Sequence, residues 1–144
     1  MPSVATHYRM HGGLYVLDNV PWFALRVSEG DAVEAAPDGT GYLAMTRVVR
    51  KSGNRTIRVI LELSDPTRAW SYESTVLVSG IQRRGGEIEN MNNKLIGVTV
   101  PPTTDLLALG NFIDHSGFQF EYADPTYEDL FPDDASIDIN APEA

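Results

Sequence analysis

Residues 42–63, YLAMTRVVRKSGNRTIRVILEL, decide how the rest of the chain is read. Leu43, Met45, Val48 and Val49 mark one extended arm, and Ile57, Val59, Leu61 and Leu63 alternate along a second. A period of two is that of a strand with one buried face. Between the arms, Lys51-Ser52-Gly53-Asn54 supplies turn residues, of which Gly53 and Asn54 tolerate positive φ. The stretch therefore predicts a β-hairpin. It carries five of the eleven basic residues, Arg47, Arg50, Lys51, Arg55 and Arg58, so the hairpin is expected to protrude as a cationic, anion-binding edge.

On the N-terminal side, residues 1–13 read as a flexible lead-in hinged at Gly12-Gly13. Apolar runs at 14–17, 20–27 and 32–36 are separated by Asp18-Asn19, Glu29-Gly30-Asp31 and Pro37-Asp38-Gly39, which are turn chemistry. Short strands at such spacing predict a small β-barrel or a bent antiparallel sheet over residues 14–55.

On the C-terminal side the pattern changes. Ser64-Asp65-Pro66 opens a helix expected to run over 66–84 and to stop at Gly85-Gly86. Strands follow at 87–91 and 94–100. A second helix after Pro101-Pro102 carries the stripe Leu106, Leu107, Leu109, Phe112 and Ile113 and ends at Gly117. Residues 118–122 alternate as a last strand. The order β-α-β-β-α-β over 56–125 predicts a ferredoxin-like unit, making the chain α+β. Residues 126–144 read as an acidic tail.

Charge is unevenly spread. Residues 1–94 hold all eleven Lys and Arg against ten Asp and Glu, whereas residues 95–144 hold ten Asp and Glu and no Lys or Arg. The overall −9 is thus a statement about one half of the surface and its partners. With no cysteine, disulfides, thiol nucleophiles and Cys-ligated metals are excluded. No stretch resembles a signal peptide or a membrane span, so a cytoplasmic protein without membrane contact is expected.

Catalytic constellations are not evident. His7 and His11 lie in the lead-in with no acidic neighbour, and His115 suits the last turn of a helix. Ser52, Ser79 and Ser116 lack a nucleophile-elbow context. Glu29/Asp31 fits a solvated turn whose aspartate accepts backbone amides, and Glu87/Glu89 fits a strand face. No cofactor, metal or catalytic residue is assigned. Nucleic-acid binding through the basic edge is weakened by the acidic half and by the lack of aromatics on strands 56–63 and 94–100.

Four stretches resemble a bacterial family, the domain of unknown function 4265. They are LDNVPWF (17–23), GDAVEA (30–35), VRKSGNRTIRV (49–59) and IGVTVPP (96–102). The resemblance spans roughly residues 14–125; it implies a shared fold and a bacterial cytoplasmic setting, and carries no catalytic mechanism.

The functional expectation is a non-enzymatic interaction protein. Tyr127, Glu128, Asp129, Leu130, Phe131, Asp133 and Asp134 combine apolar anchors with charge suited to a basic protein partner, an immunity or antitoxin role being one form. The alternative is a small-ligand or enzyme pocket between the two subdomains, lined by Trp22, Phe23, Tyr42 and Trp70, with Arg50 or Arg58 holding an anionic group.

Overall fold

Strands Tyr8–His11 (β1), Leu14–Leu17 (β2), Ala32–Pro37 (β3) and Leu43–Arg50 (β4) form an open antiparallel sheet in the order β1-β2-β3-β4. The computed structural model describes residues 8–11, 14–21, 24–41, 43–63, 70–92 and 94–135, and only the backbone of 8–11, 63, 91–92 and 135. Among the described residues no barrel closes; the bent sheet is what forms, and the register shifts at Ala32/Val33 and Glu34/Ala35 are where β3 and β4 bend. A small core of Leu17, Val27 and Val33 lies against Tyr15, Ala24, Met45 and Val48.

Two expectations fail here. Residues 8–11 of the lead-in are a strand, because pairing with β2 satisfies their backbone groups. Of the apolar run 20–27, the described residues 20, 21 and 24–27 are not in a strand. Pro21 cannot donate to a ladder, and the segment's polar groups are met singly, Val20 N–H by Glu89 Oε2 at 3.0 Å and Arg26 N–H by Ala123 O at 2.7 Å.

The second sheet combines Arg55–Leu63 (β5), Glu87–Asn92 (β6), Leu95–Val100 (β7) and Phe118–Asp124 (β8), in the order β6-β7-β5-β8 with every neighbour antiparallel. Helices Trp70–Arg83 (α1) and Leu106–His115 (α2) supply Leu77, Ile81, Leu106, Leu109 and Ile113 to a core with Ile57, Val59, Ile96, Val98 and Tyr122. Each such aliphatic side chain contributes about 1.5–3 kcal/mol on burial, so this core dominates stability. Asp105 caps α2 by accepting the Ala108 N–H at 3.0 Å, as the Pro-Pro-Thr-Thr-Asp lead-in implies. Gly110 is required where α2 meets β8, since a Cβ there would collide with the Tyr122 hydroxyl. The first helix is described over Trp70–Arg83, and the start expected at 64–66 lies outside the described residues.

The central hairpin is not formed. The arms are both strands, but β4 pairs with β3 and β5 pairs with β7 and β8, so they belong to different sheets. The reason is local chemistry in residues 51–54. Instead of closing on each other, these residues bond the 26–31 loop. Ser52 N–H donates to Asp31 Oδ1 at 2.7 Å, while Ser52 Oγ and Asn54 Nδ2 donate to Glu29 O at 2.8 and 3.0 Å. Gly53, at φ 93°, lets the chain swing from one sheet into the other.

The acidic tail is also partly structured. Tyr127–Leu130 (α3) and Pro132–Ala135 (α4) are short helices, the first held by a Thr126/Asp129 capping box. Leu130 and Phe131 pack on the main core, and Phe131 lies 4.8 Å from the Tyr127 ring. Residues 136–144, with Ile137 and Ile139, lie outside the described residues.

Candidate functional site

Where the chain crosses between sheets, polar groups converge in a buried seam. Asp31 is fully buried and accepts Ser28 N–H at 2.9 Å, Ser52 N–H at 2.7 Å and Lys51 Nζ at 2.6 Å. Lys51 also donates to Asp124 Oδ2 at 2.6 Å and Arg26 O at 2.9 Å. Ser28 Oγ donates to Asp124 Oδ2 at 2.6 Å and shares a 2.6 Å hydrogen bond with Thr56 Oγ1. Partial burial disfavours the Lys51 ammonium, yet its bonds and attraction to Asp124 and Asp31 outweigh that and raise its pKa above the ordinary value. A buried serine whose hydroxyl is consumed by an aspartate and a threonine has no access to a substrate. The seam joins the sheets. Gly30 at φ 85° and the amides bonded by Asp31 meet the turn reading, but the expected solvated turn is corrected: Asp31 is fully buried, held there by Lys51 and two backbone N–H groups.

The protruding cationic edge is dispersed. Arg47 pairs with Glu34 across β3 and β4 at 2.8–2.9 Å, lowering the glutamate's pKa. Lys51 serves the seam. Arg55 donates to Pro101 O at 2.7 Å and Thr104 O at 2.5 Å, holding the lead-in to α2. Arg58 is 4% exposed, with Nε on Glu121 Oε1 at 2.6 Å and Nη1 on Pro21 O and Ala24 O at 3.0 and 2.9 Å. Arg50 is exposed and, among the described residues, has no hydrogen-bond or ion-pair partner. Trp22, Phe23 and Tyr42 lie outside the described residues; Trp70 donates its indole N–H to Leu61 O and lines neither cavity described below.

Two adjoining cavities flank β8. One, of about 520 Å³, lies between the 24–26 loop, β8 and α3, and its lining includes Leu25, Tyr122 and Tyr127, the carboxylates of Asp114, Glu121 and Glu128, and Arg26. Leu25 and Tyr127 are 50% and 49% exposed. Among the described residues, the carboxylates of Asp114 and Glu128 have no hydrogen-bond or ion-pair partner. Burial first, and then Asp114, push the Tyr122 phenol pKa up, an indication of the negative field there. The other cavity, about 640 Å³, shares Asp114, Phe120 and Glu121 and adds Arg58, Ile60, Leu95 and Gln119.

Of the tail residues expected to meet a partner, Glu128 and Tyr127 line the first cavity. Asp129 instead binds Arg26 through Nε and Nη2 at 3.2 and 3.3 Å, which lowers its pKa. Leu130 and Phe131 are packed inward, and Asp134 accepts the Tyr127 hydroxyl at 2.9 Å. Asp133 is exposed beside them. Sequence reasoning missed Leu25, Asp114 and Glu121 as neighbours of this surface. The signal available was the absence of Lys and Arg after residue 94, which left Asp114 and Glu121 few partners nearby in sequence.

The chain matches the Domain of unknown function (DUF4265) over residues 4–119. No curated protein matches it. Among solved structures it is similar to a hypothetical protein from Neisseria gonorrhoeae, at 19% identity over 82% of this chain and 80% of that one, with a TM-score of 0.62. That likeness is one of fold. Among the described residues, no helix is long and apolar enough to cross a membrane.

Proposed function

The chain belongs to the DUF4265 family, and on that premise we propose that it is a non-enzymatic interaction protein whose acidic cleft along β8 docks a basic protein segment. The observation that carries this is the pair of carboxylates, Asp114 and Glu128, without a partner among the described residues and set beside the exposed Leu25 and Tyr127. Carboxylates steer a cationic partner, and apolar walls hold the stem of a Lys or Arg. The interaction surface thus centres on β8 and the start of α3 rather than on the whole tail. A cytoplasmic bacterial setting, and an immunity or antitoxin-like role against a basic toxin, belong to the same reading. The order of elements from β5 to β8, with strand order β6-β7-β5-β8, supports a ferredoxin-like unit as its scaffold.

The test is affinity capture from bacterial lysate at low and high salt, comparing wild type with the Asp114→Asn, Glu128→Gln double variant. A basic partner held by wild type, released by salt and lost by the variant supports the reading. Equal capture by both proteins overturns it. Point variants are needed because truncation at residue 125 would remove Leu130 and Phe131 from the core.

A further inference from the structure

We infer that Arg58 is a hydrogen-bond donor for a neutral carbonyl, so that the partner of the β8 cleft is read through its backbone as well as its charge. The inference rests on the cleft reading above for the partner's identity, but on separate residues for the contact.

Arg58 is the most deeply buried group in the 640 Å³ cavity whose donors are not all used. A guanidinium has five N–H bonds. Nε serves Glu121 and Nη1 serves Pro21 O and Ala24 O, which leaves both N–H bonds of Nη2 without an acceptor among the described residues. One of the two Nη2 N–H bonds lies on the same edge of the guanidinium as Nε, the edge that Glu121 of β8 meets, and Arg58 and Glu121 both line the cavity. Buried donors without acceptors are rare because desolvation is uncompensated. A ligand oxygen would satisfy them.

Charge decides which oxygen. Glu121 already neutralises Arg58 at 2.6 Å, and Asp114 adds a further negative charge to the same cavity. A carboxylate or phosphate would meet net repulsion there, whereas an amide carbonyl accepts from Nη2 without bringing charge. The earlier expectation of an anion on Arg58 is replaced by a neutral acceptor. Register strengthens the point. Ile60 pairs with Gln119 and with Leu95, and Arg58 pairs with Glu121, so Arg58, Ile60, Leu95, Gln119 and Glu121 occupy one sheet face. Ile60, 40% exposed, offers an apolar shelf beside the donor. An extended peptide crossing β8 can put a carbonyl on Arg58, an apolar side chain on Ile60 and Leu95, and a basic side chain toward Asp114.

The experiment is an NMR titration of the full chain, following the Arg58 guanidinium signals and the Tyr127 ring. The probes are Ac-Lys-Leu-Lys-NH2, its uncharged counterpart Ac-Gln-Leu-Gln-NH2, and sodium acetate. Both peptides are expected to shift the Arg58 signals, the uncharged one at roughly tenfold higher concentration, and acetate is expected to leave them unmoved. Arg58 signals that ignore both peptides, or that follow acetate, overturn the inference. If both peptides shift Arg58 equally, the carbonyl site stands and the acidic-cleft reading falls. A second variant avoids disturbing the buried arginine: Glu121→Gln keeps an acceptor for Nε but removes the charge, and acetate should then shift the Arg58 signals. No acetate response in that variant contradicts the charge argument.

Discussion

The seam between the sheets and the cleft along β8 are both built on carboxylates, and they use them in opposite ways. In the seam, Asp31 and Asp124 face Lys51, Ser28, Ser52 and Thr56, and the short bonds close inward. In the cleft, Asp114 and Glu128 face solvent with no partner among the described residues. Acidity alone is therefore no guide to function; what matters is whether the protein has already supplied the counter-charge. Where it has, the carboxylate holds the fold. Where it has not, the carboxylate is available to another molecule.

The largest expected effect lies in the seam. Asp31→Ala leaves the Ser28 and Ser52 N–H groups without their acceptor and takes one of two carboxylates from Lys51, which keeps Asp124; an orphaned buried donor costs about 1–3 kcal/mol, so the two together cost about 2–6 kcal/mol. Urea denaturation followed by circular dichroism measures it. A loss under 1 kcal/mol would show that the seam is replaceable by water and would erase the contrast with the cleft.

Next comes Lys51→Met. Its side chain is 46% exposed, so solvent screens the pair and the expected loss is smaller, about 1–3 kcal/mol. The pH dependence has a definite sign. Because the folded pKa of Lys51 is raised, its contribution is fully present below the ordinary value of 10.5 and is lost as pH rises through the folded value. The stability gap between wild type and variant should hold constant from pH 7 to about 10 and narrow only above that. A gap that closes near neutrality would mean that Lys51 is not the ammonium holding the seam.

The rim of the cleft should respond at the other end of the scale. Arg26 holds Asp129 with its pKa lowered, so the pair contributes above the ordinary aspartate value of 3.8 and is lost as pH falls through the lowered folded value. The Tyr127 ring signals should therefore stay unchanged down to about pH 4 and shift only below it. Arg26 also sits at φ 62°, in the left-handed region that glycine occupies freely. Arg26→Gly removes the ion pair while relieving that backbone, and should loosen α3 with little change in global unfolding, as hydrogen exchange at residues 127–130 would show.

Much of this fold is legible in the sequence because apolar period and turn chemistry are local. Ile57, Val59, Ile96, Val98, Leu106 and Leu109 fall where their alternation or helical stripe puts them, and Gly117 ends α2 at φ 88° as a glycine past a helix end should. The expected hairpin is where local pattern misleads, and the cause is physical. Lys51-Ser52-Gly53-Asn54 has the residue types of a tight turn, but whether a turn closes on itself depends on competing partners, here Glu29 and Asp31 some twenty residues away. Long-range pairing of side chains leaves no periodic trace. For the same reason the pairing of Arg58 with Glu121, sixty-three residues apart, lies beyond sequence reasoning.

The smallest expected effect on stability carries the most about function. Asp114→Asn and Glu128→Gln touch exposed carboxylates with no partner among the described residues, so each should change unfolding free energy by less than about 0.5 kcal/mol. Binding of Ac-Lys-Leu-Lys-NH2, by contrast, should weaken severalfold in each variant and lose part of its salt dependence, because a carboxylate that does nothing for the fold is free to act on the ligand. The two measurements must be read together. Loss of stability in these variants would place Asp114 and Glu128 beside Asp31 and Asp124 as structural groups. Unchanged stability with unchanged binding would make them solvated surface charge. Only unchanged stability with weakened binding leaves the cleft as the part of this protein that meets a partner, and the seam as the part that holds it in position.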